Sequence, residues 1–92
     1  MKKLIGNIRI TPNPGTETMG PHFEVAFVPY VGRNNAKPVR VTSHDDLVSF
    51  LIDIKIGEDD AARWAGRARG DVVLIPSIER AEDLLKEKGL LG

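Results

Sequence analysis

The sequence predicts an α+β fold: a mainly antiparallel sheet of about four strands with three helices packed on one face, in the order β-β-β-α-α-β-α. Two observations carry this. Up to Thr42 the apolar residues recur with a period of 2, as on half-buried strands, and from Ser43 the period changes to 3.6, as on amphipathic helices. One short apolar run between helical segments supplies the remaining strand. Strands that precede helices favour segregated layers over a βαβ sheet.

The first strand alternates, with Leu4, Gly6, Ile8 and Ile10 on one face and Ile5, Asn7 and Arg9 on the other. Thr11 to Pro21 follows as a loop rich in proline and glycine, long for a plain connection. HFEVAFVPYV resumes the alternation: Phe23, Val25 and Phe27 face one way and Glu24, Ala26 and Val28 the other. Pro29 cannot donate to a ladder, so the strand is at an edge there or bulged. GRNNAK reads as a turn, and PVRVT, with Val39 and Val41 inward, as the returning arm of a hairpin.

SHDDLVSFLIDIKIG, from Ser43 to Gly57, reads as a helix capped by the Ser43 hydroxyl and stopped by a left-handed Gly57. Its stripe is Leu47, Phe50, Leu51 and Ile54, flanked by Val48 and Ile52. A second helix carries Ala61, Trp64, Ala65 and Ala68 at helical spacing and is expected to stop at Gly70. DVVLIP, a continuous apolar run, reads as an interior strand. Ser77 caps a last helix with Ile78, Ala81, Leu84 and Leu85 in its stripe and Glu82 placed to meet Lys86; Gly89 ends it.

A chain of 92 residues fits a single α+β domain, 1–92, with one modest core. Its 41% hydrophobic and 28% charged residues are those of an ordinary globular protein. No window approaches the roughly 18 apolar residues of a membrane span, and the start is too polar for a secretory leader, so a cytoplasmic location is expected. The absence of cysteine excludes disulfides, thiolate nucleophiles and cysteine-containing zinc sites. The net charge is zero, but residues 1–40 hold six Lys or Arg against two carboxylates, and the remainder hold seven against eleven. Mutual attraction of the two halves accounts for this asymmetry better than attraction to phosphate does.

No catalytic centre is visible, and neither a metal nor another cofactor is expected. His22 follows a proline at a strand start and His44 begins a helix, without the spacing of a metal motif. Asp45, Asp46, Glu58, Asp59, Asp60 and Glu79 all fall at helix starts, where the unpaired amides and the dipole favour negative charge. Neither GRARG nor VGRNN matches a phosphate-binding loop, and no serine sits in a nucleophile elbow.

Two basic groupings are candidate contact sites. Arg33, Lys37 and Arg40 surround the hairpin turn together with Asn34 and Asn35, and Arg63 and Arg67 share one helix face, where Asp59 stands four residues before Arg63. The two central helices also match part of a helix-turn-helix, but Lys55 stands at the usual turn glycine and Glu58, Asp59 and Asp60 would face phosphates with like charge.

The leading reading is a small interaction module that forms a homodimer or meets a protein partner, with Ala26, Val28 and Tyr30 as the self-association surface on the strand face the helices do not cover. A second reading is a nucleic-acid-binding accessory protein using the basic hairpin turn or the partial helix-turn-helix. A third is a small-molecule binder or enzyme with its site between the Thr11 to Pro21 loop and the helices, since long loops often bind.

Overall fold

The computed structural model describes residues 6–54, 56–68, 70–76 and 82–91, with the backbone alone at 75, 76 and 82. Its elements are β1 (Gly6–Asn13), β2 (His22–Pro29), β3 (Val39–Val41), α1 (His44–Asp53), α2 (Glu58–Arg67), β4 (Val73–Pro76) and α3 (Glu82–Glu87). The strands form one sheet in the order β3-β2-β1-β4, and every neighbouring pair is antiparallel. This is the α+β arrangement that the change of period predicts. Leu4, Ile5, Lys55, Arg69, the Ser77 cap, Ile78, Glu79 and Ala81 lie outside the described residues, as does the side chain of Glu82 that was to meet Lys86.

The register explains which face is buried. Ile8 opposes Phe27 and Ile10 opposes Val25, and these four side chains are at most 4% exposed, against α1 and α2. Leu47, Leu51 and Ile54 of the α1 segment and Ala61, Ala65 and Ala68 of the α2 segment are fully buried in the same cluster, together with Val41, Val73, Leu85 and Leu90. Each large side chain removed from water in this way contributes about 1.5–3 kcal/mol. The alanines let α2 lie close to its neighbours, while Trp64 stays at the margin of the core, half-buried.

β1 runs farther than its composition suggests. Thr11, Pro12 and Asn13 continue the strand and pair with Glu24, Phe23 and His22, so the loop shrinks to 14–21. Proline is tolerated at Pro12 and Pro29 for one reason. β4 pairs with β1 only over Asn7–Ile10, and β3 pairs with β2 only over Phe23–Val25, so each proline sits where its strand has a single neighbour. The loop closes through Asn13, whose Oδ1 accepts the Gly15 N–H at 2.9 Å, and Gly15 takes φ 90°, which a side chain would strain.

β4 is an edge strand, not the interior strand that its continuous apolar run suggests. It pairs with β1 alone among the described residues; Val73 turns into the core, while Val72 and Leu74 are 49% and 54% exposed. The run is apolar on both faces because the outer one is apolar and bare.

The start of α1 is as expected: the Asp46 N–H donates to Ser43 Oγ at 3.1 Å. Its end differs. The helix stops at Asp53 with Ile54 as its C-cap, and Gly57, at φ −58°, is the N-cap of α2 and not a left-handed stop. With no side chain to cap α2, its amides are left to the acidic first turn of Glu58, Asp59 and Asp60. Likewise α2 ends at Arg67, three positions before Gly70. Gly89 does end α3: it takes φ 78°, donates to the Lys86 carbonyl at 3.1 Å, and Leu90 donates to the Leu85 carbonyl at 2.8 Å, a Schellman closure over two buried leucines.

Candidate functional site

Alternation along the strands assigns one set of side chains to the outer face of the sheet. β2 contributes Glu24, Ala26 and Val28, β1 contributes Asn7, Arg9 and Thr11, β3 contributes Arg40 and β4 contributes Leu74. Ala26 is half-buried between its strand neighbours, while Val28 is 43% exposed and Tyr30, just past β2, is 55% exposed. The Tyr30 hydroxyl donates to Asn7 Oδ1 at 3.1 Å, which holds the ring beside this face. Across the sheet, Arg9 separates Ala26 from Leu74, so apolar columns on β2 and β4 flank a polar column on β1.

The basic candidates fall in two environments. Arg33 and Lys37 are exposed on the connection 30–38, and Arg40 is exposed on the outer sheet face; none has an ion pair among the described residues. Their neighbour Asn34 has an internal role. Its Nδ2 donates to the Phe27 carbonyl at 2.8 Å and the Leu90 carbonyl at 2.6 Å, and its Oδ1 accepts the Ala36 N–H at 3.0 Å. It ties the connection to β2 and to the chain after α3. Arg63 and Arg67 instead lie each 5.3 Å from the Trp64 ring, and Arg63 is paired with Asp60 at 2.9 Å rather than with Asp59. The stacked guanidinium groups shield the exposed part of the tryptophan, a contact that contributes about 0.5–1 kcal/mol at such a site.

At the opposite end of the sheet from Tyr30, Pro14 and Pro21, the two ends of the loop 14–21, border a cleft of about 530 Å³. Pro12, Pro14, Pro21 and Phe23 give it apolar walls, and the polar lining includes Asn13, His22, Ser43 and His44. Both histidines of the chain therefore meet one cavity. His22 is 5% exposed; its Nδ1 lies 3.2 Å from the Gly20 carbonyl oxygen and its Nε2 3.5 Å from Glu24 Oε1. The Nδ1 of His44 is buried without a hydrogen-bond partner. No three His, Asp or Glu groups converge as metal ligands among the described residues.

Nothing matches. Comparison with protein-family models, with characterised proteins and with solved structures finds no similar protein. What the site can do therefore follows from its own geometry.

Alternation along β2 is enough to place Val28 and Tyr30 on this exposed face, whereas the continuous apolar run of β4 reads as buried on both sides and hides Leu74. The two histidines, 22 positions apart, show no connection in the sequence. Their meeting depends on the β1–β2 register, which sets His22 opposite Asn13, and on β3 leading directly into α1.

Proposed function

We propose that this protein is a small interaction module that self-associates through the outer face of its sheet. The observation that carries the reading is the exposure of Val28, Tyr30 and Leu74, at 43%, 55% and 54%, on a face that no described element covers. The polar residues there favour a second copy as the occupant. Among the described residues Arg9 and Arg40 have no ion pair, and Glu24, which lies 3.5 Å from His22 Nε2 yet keeps its side chain 42% exposed, stands on the same face, so a two-fold arrangement can set the carboxylate of one copy against the guanidinium groups of the other. A mixture of arginine, tyrosine and aliphatic side chains suits a non-obligate interface.

Size sets the expected strength. Four strands about 4.8 Å apart make a face some 15–19 Å wide, and its longest strands, of 8 residues at about 3.3 Å each, give it a length of about 26 Å, so its area is at most about 500 Å², short of the roughly 800 Å² per partner of a standard stable complex. Weak association follows, with Tyr30 and Val31 on the adjoining connection extending the contact. Multi-angle light scattering from roughly 5 μM to 1 mM should show a rise in mass towards the dimer, a range that brackets micromolar affinities. Val28→Asp should hold the protein at monomer mass with an unchanged circular dichroism spectrum. A constant monomer mass for the parent protein at every concentration would refute the reading.

A further inference from the structure

The connection 30–38 and β3 carry a row of exposed groups for which self-association does not account. The chain leaves β2 at Pro29 and returns to it where Val39 pairs with Val25, so it runs back along the edge of the sheet, and the bond from Asn34 Nδ2 to the Phe27 carbonyl holds it there. Tyr30, Arg33, Lys37 and Arg40 follow one another along this edge at intervals of three or four residues, and all four are exposed.

The row is basic and its backbone is fixed. From Val25 to His44 the chain holds Arg33, Lys37 and Arg40 and no aspartate or glutamate. Strand register sets Glu24 opposite Arg40, yet no ion pair joins them, and none engages Arg33 or Lys37 among the described residues. Charges along an edge strand also deter pairing with other sheets, but that task needs no anchored backbone. Here Asn34 commits its side chain to the Phe27 and Leu90 carbonyls and the Ala36 N–H, and Pro29 and Pro38 set φ on either side. A connection held in this way has little freedom left to lose on binding.

The residue types choose among anionic partners. An acidic peptide would meet the three cations alone. The Tyr30 ring, 55% exposed and steadied by its hydroxyl bond to Asn7, offers a face on which a base can stack, and the exposed Asn35 amide offers a donor and an acceptor to base edges. The guanidinium groups of Arg33 and Arg40 suit phosphate oxygens, which they can bind in pairs. An aromatic platform followed by a line of cations holds an unpaired strand whatever its sequence. We infer that the β3 edge binds single-stranded nucleic acid, with a base on Tyr30 and phosphates along Arg33, Lys37 and Arg40. A net charge of zero gives little long-range steering, so the affinity rests on these contacts.

The probe is an oligouridylate of about eight nucleotides, within the site sizes of such surfaces. It is titrated into the ¹⁵N-labelled full chain at about 20 μM, a dilution that keeps weak self-association low, with octaglutamate and a hairpin RNA duplex as comparisons. The amides of Tyr30, Arg33, Asn35, Lys37 and Arg40 should shift saturably. With three phosphates neutralised, the affinity should fall about 20-fold between about 50 and 200 mM salt. Tyr30→Leu removes the stacking face and should weaken binding at least fivefold, whereas Tyr30→Phe, which loses only the bond to Asn7, should bind within about twofold of the parent protein. Arg33→Gln combined with Lys37→Gln should lower the affinity at least tenfold and remove about two thirds of the salt dependence. All of these positions are exposed, so the circular dichroism spectrum should not change. Absence of saturable shifts at about 50 mM salt, equal affinity for octaglutamate or the duplex, shifts confined to the Arg63 and Arg67 surface, or undiminished affinity in Tyr30→Leu would overturn the inference.

Discussion

The two faces of the sheet are made by the same strands and differ in almost everything else. On the inner face Ile8, Ile10, Val25 and Phe27 meet α1 and α2 and lose nearly all contact with water, whereas Val28 and Leu74 on the outer face keep about half their surface exposed. Burial on one side and exposure on the other come from alternation alone, so a substitution one position along a strand changes which property it tests. The inner face holds the fold. The outer face is the one available to a partner.

The sharpest way to break this contrast is at its centre. Ile10→Ala removes a fully buried side chain from beneath the helices and should cost about 2–5 kcal/mol in urea unfolding at low protein concentration. If the cost were under about 0.5 kcal/mol, as for an ordinary surface change, the inner face would not be the seat of stability. Asn34→Ala is next. It withdraws the donor from the Phe27 and Leu90 carbonyls and should cost about 1–3 kcal/mol, with faster amide exchange at Leu90. A neutral result there would show that the connection 30–38 contributes nothing to the core.

Ser43→Ala should cost about 1 kcal/mol through loss of the α1 cap, read from the same unfolding curves. Val28→Asp stands at the far end of the scale. Within about 0.5 kcal/mol of the parent protein in stability, it should nonetheless abolish concentration-dependent association. A large loss of stability would mean that Val28 belongs to the core and that the faces are not separable.

The sequence disclosed those features that local chemistry decides. Ser43, the stripe of Leu47, Leu51 and Ile54, the alternation of Phe23, Val25 and Phe27, and Gly89 are all governed by neighbours within a few residues. Features decided by distant pairing were hidden. Gly57 could stop one helix or start the next, and the short link between α1 and α2 turned it to the second use. Pro12 looked like loop because proline breaks ladders, yet it needed only a missing neighbour on one side, which the short β4 provides. DVVLIP could not reveal whether its second apolar face was covered. Of the candidate sites, Val28 and Tyr30 were legible from alternation, while the cavity shared by His22 and His44 required strand register.

The contrast between the faces is tested most directly by diluting the ¹⁵N-labelled protein from about 1 mM to about 20 μM and following its amide resonances, a range chosen for weak association. The resonances of Ala26, Val28, Tyr30 and Leu74 should move together along one binding curve while those of Leu47, Leu51 and Ala65 stay fixed. Resonances that do not move at all, or movement centred on the exposed Ile52 side of α1, would contradict self-association through the outer face.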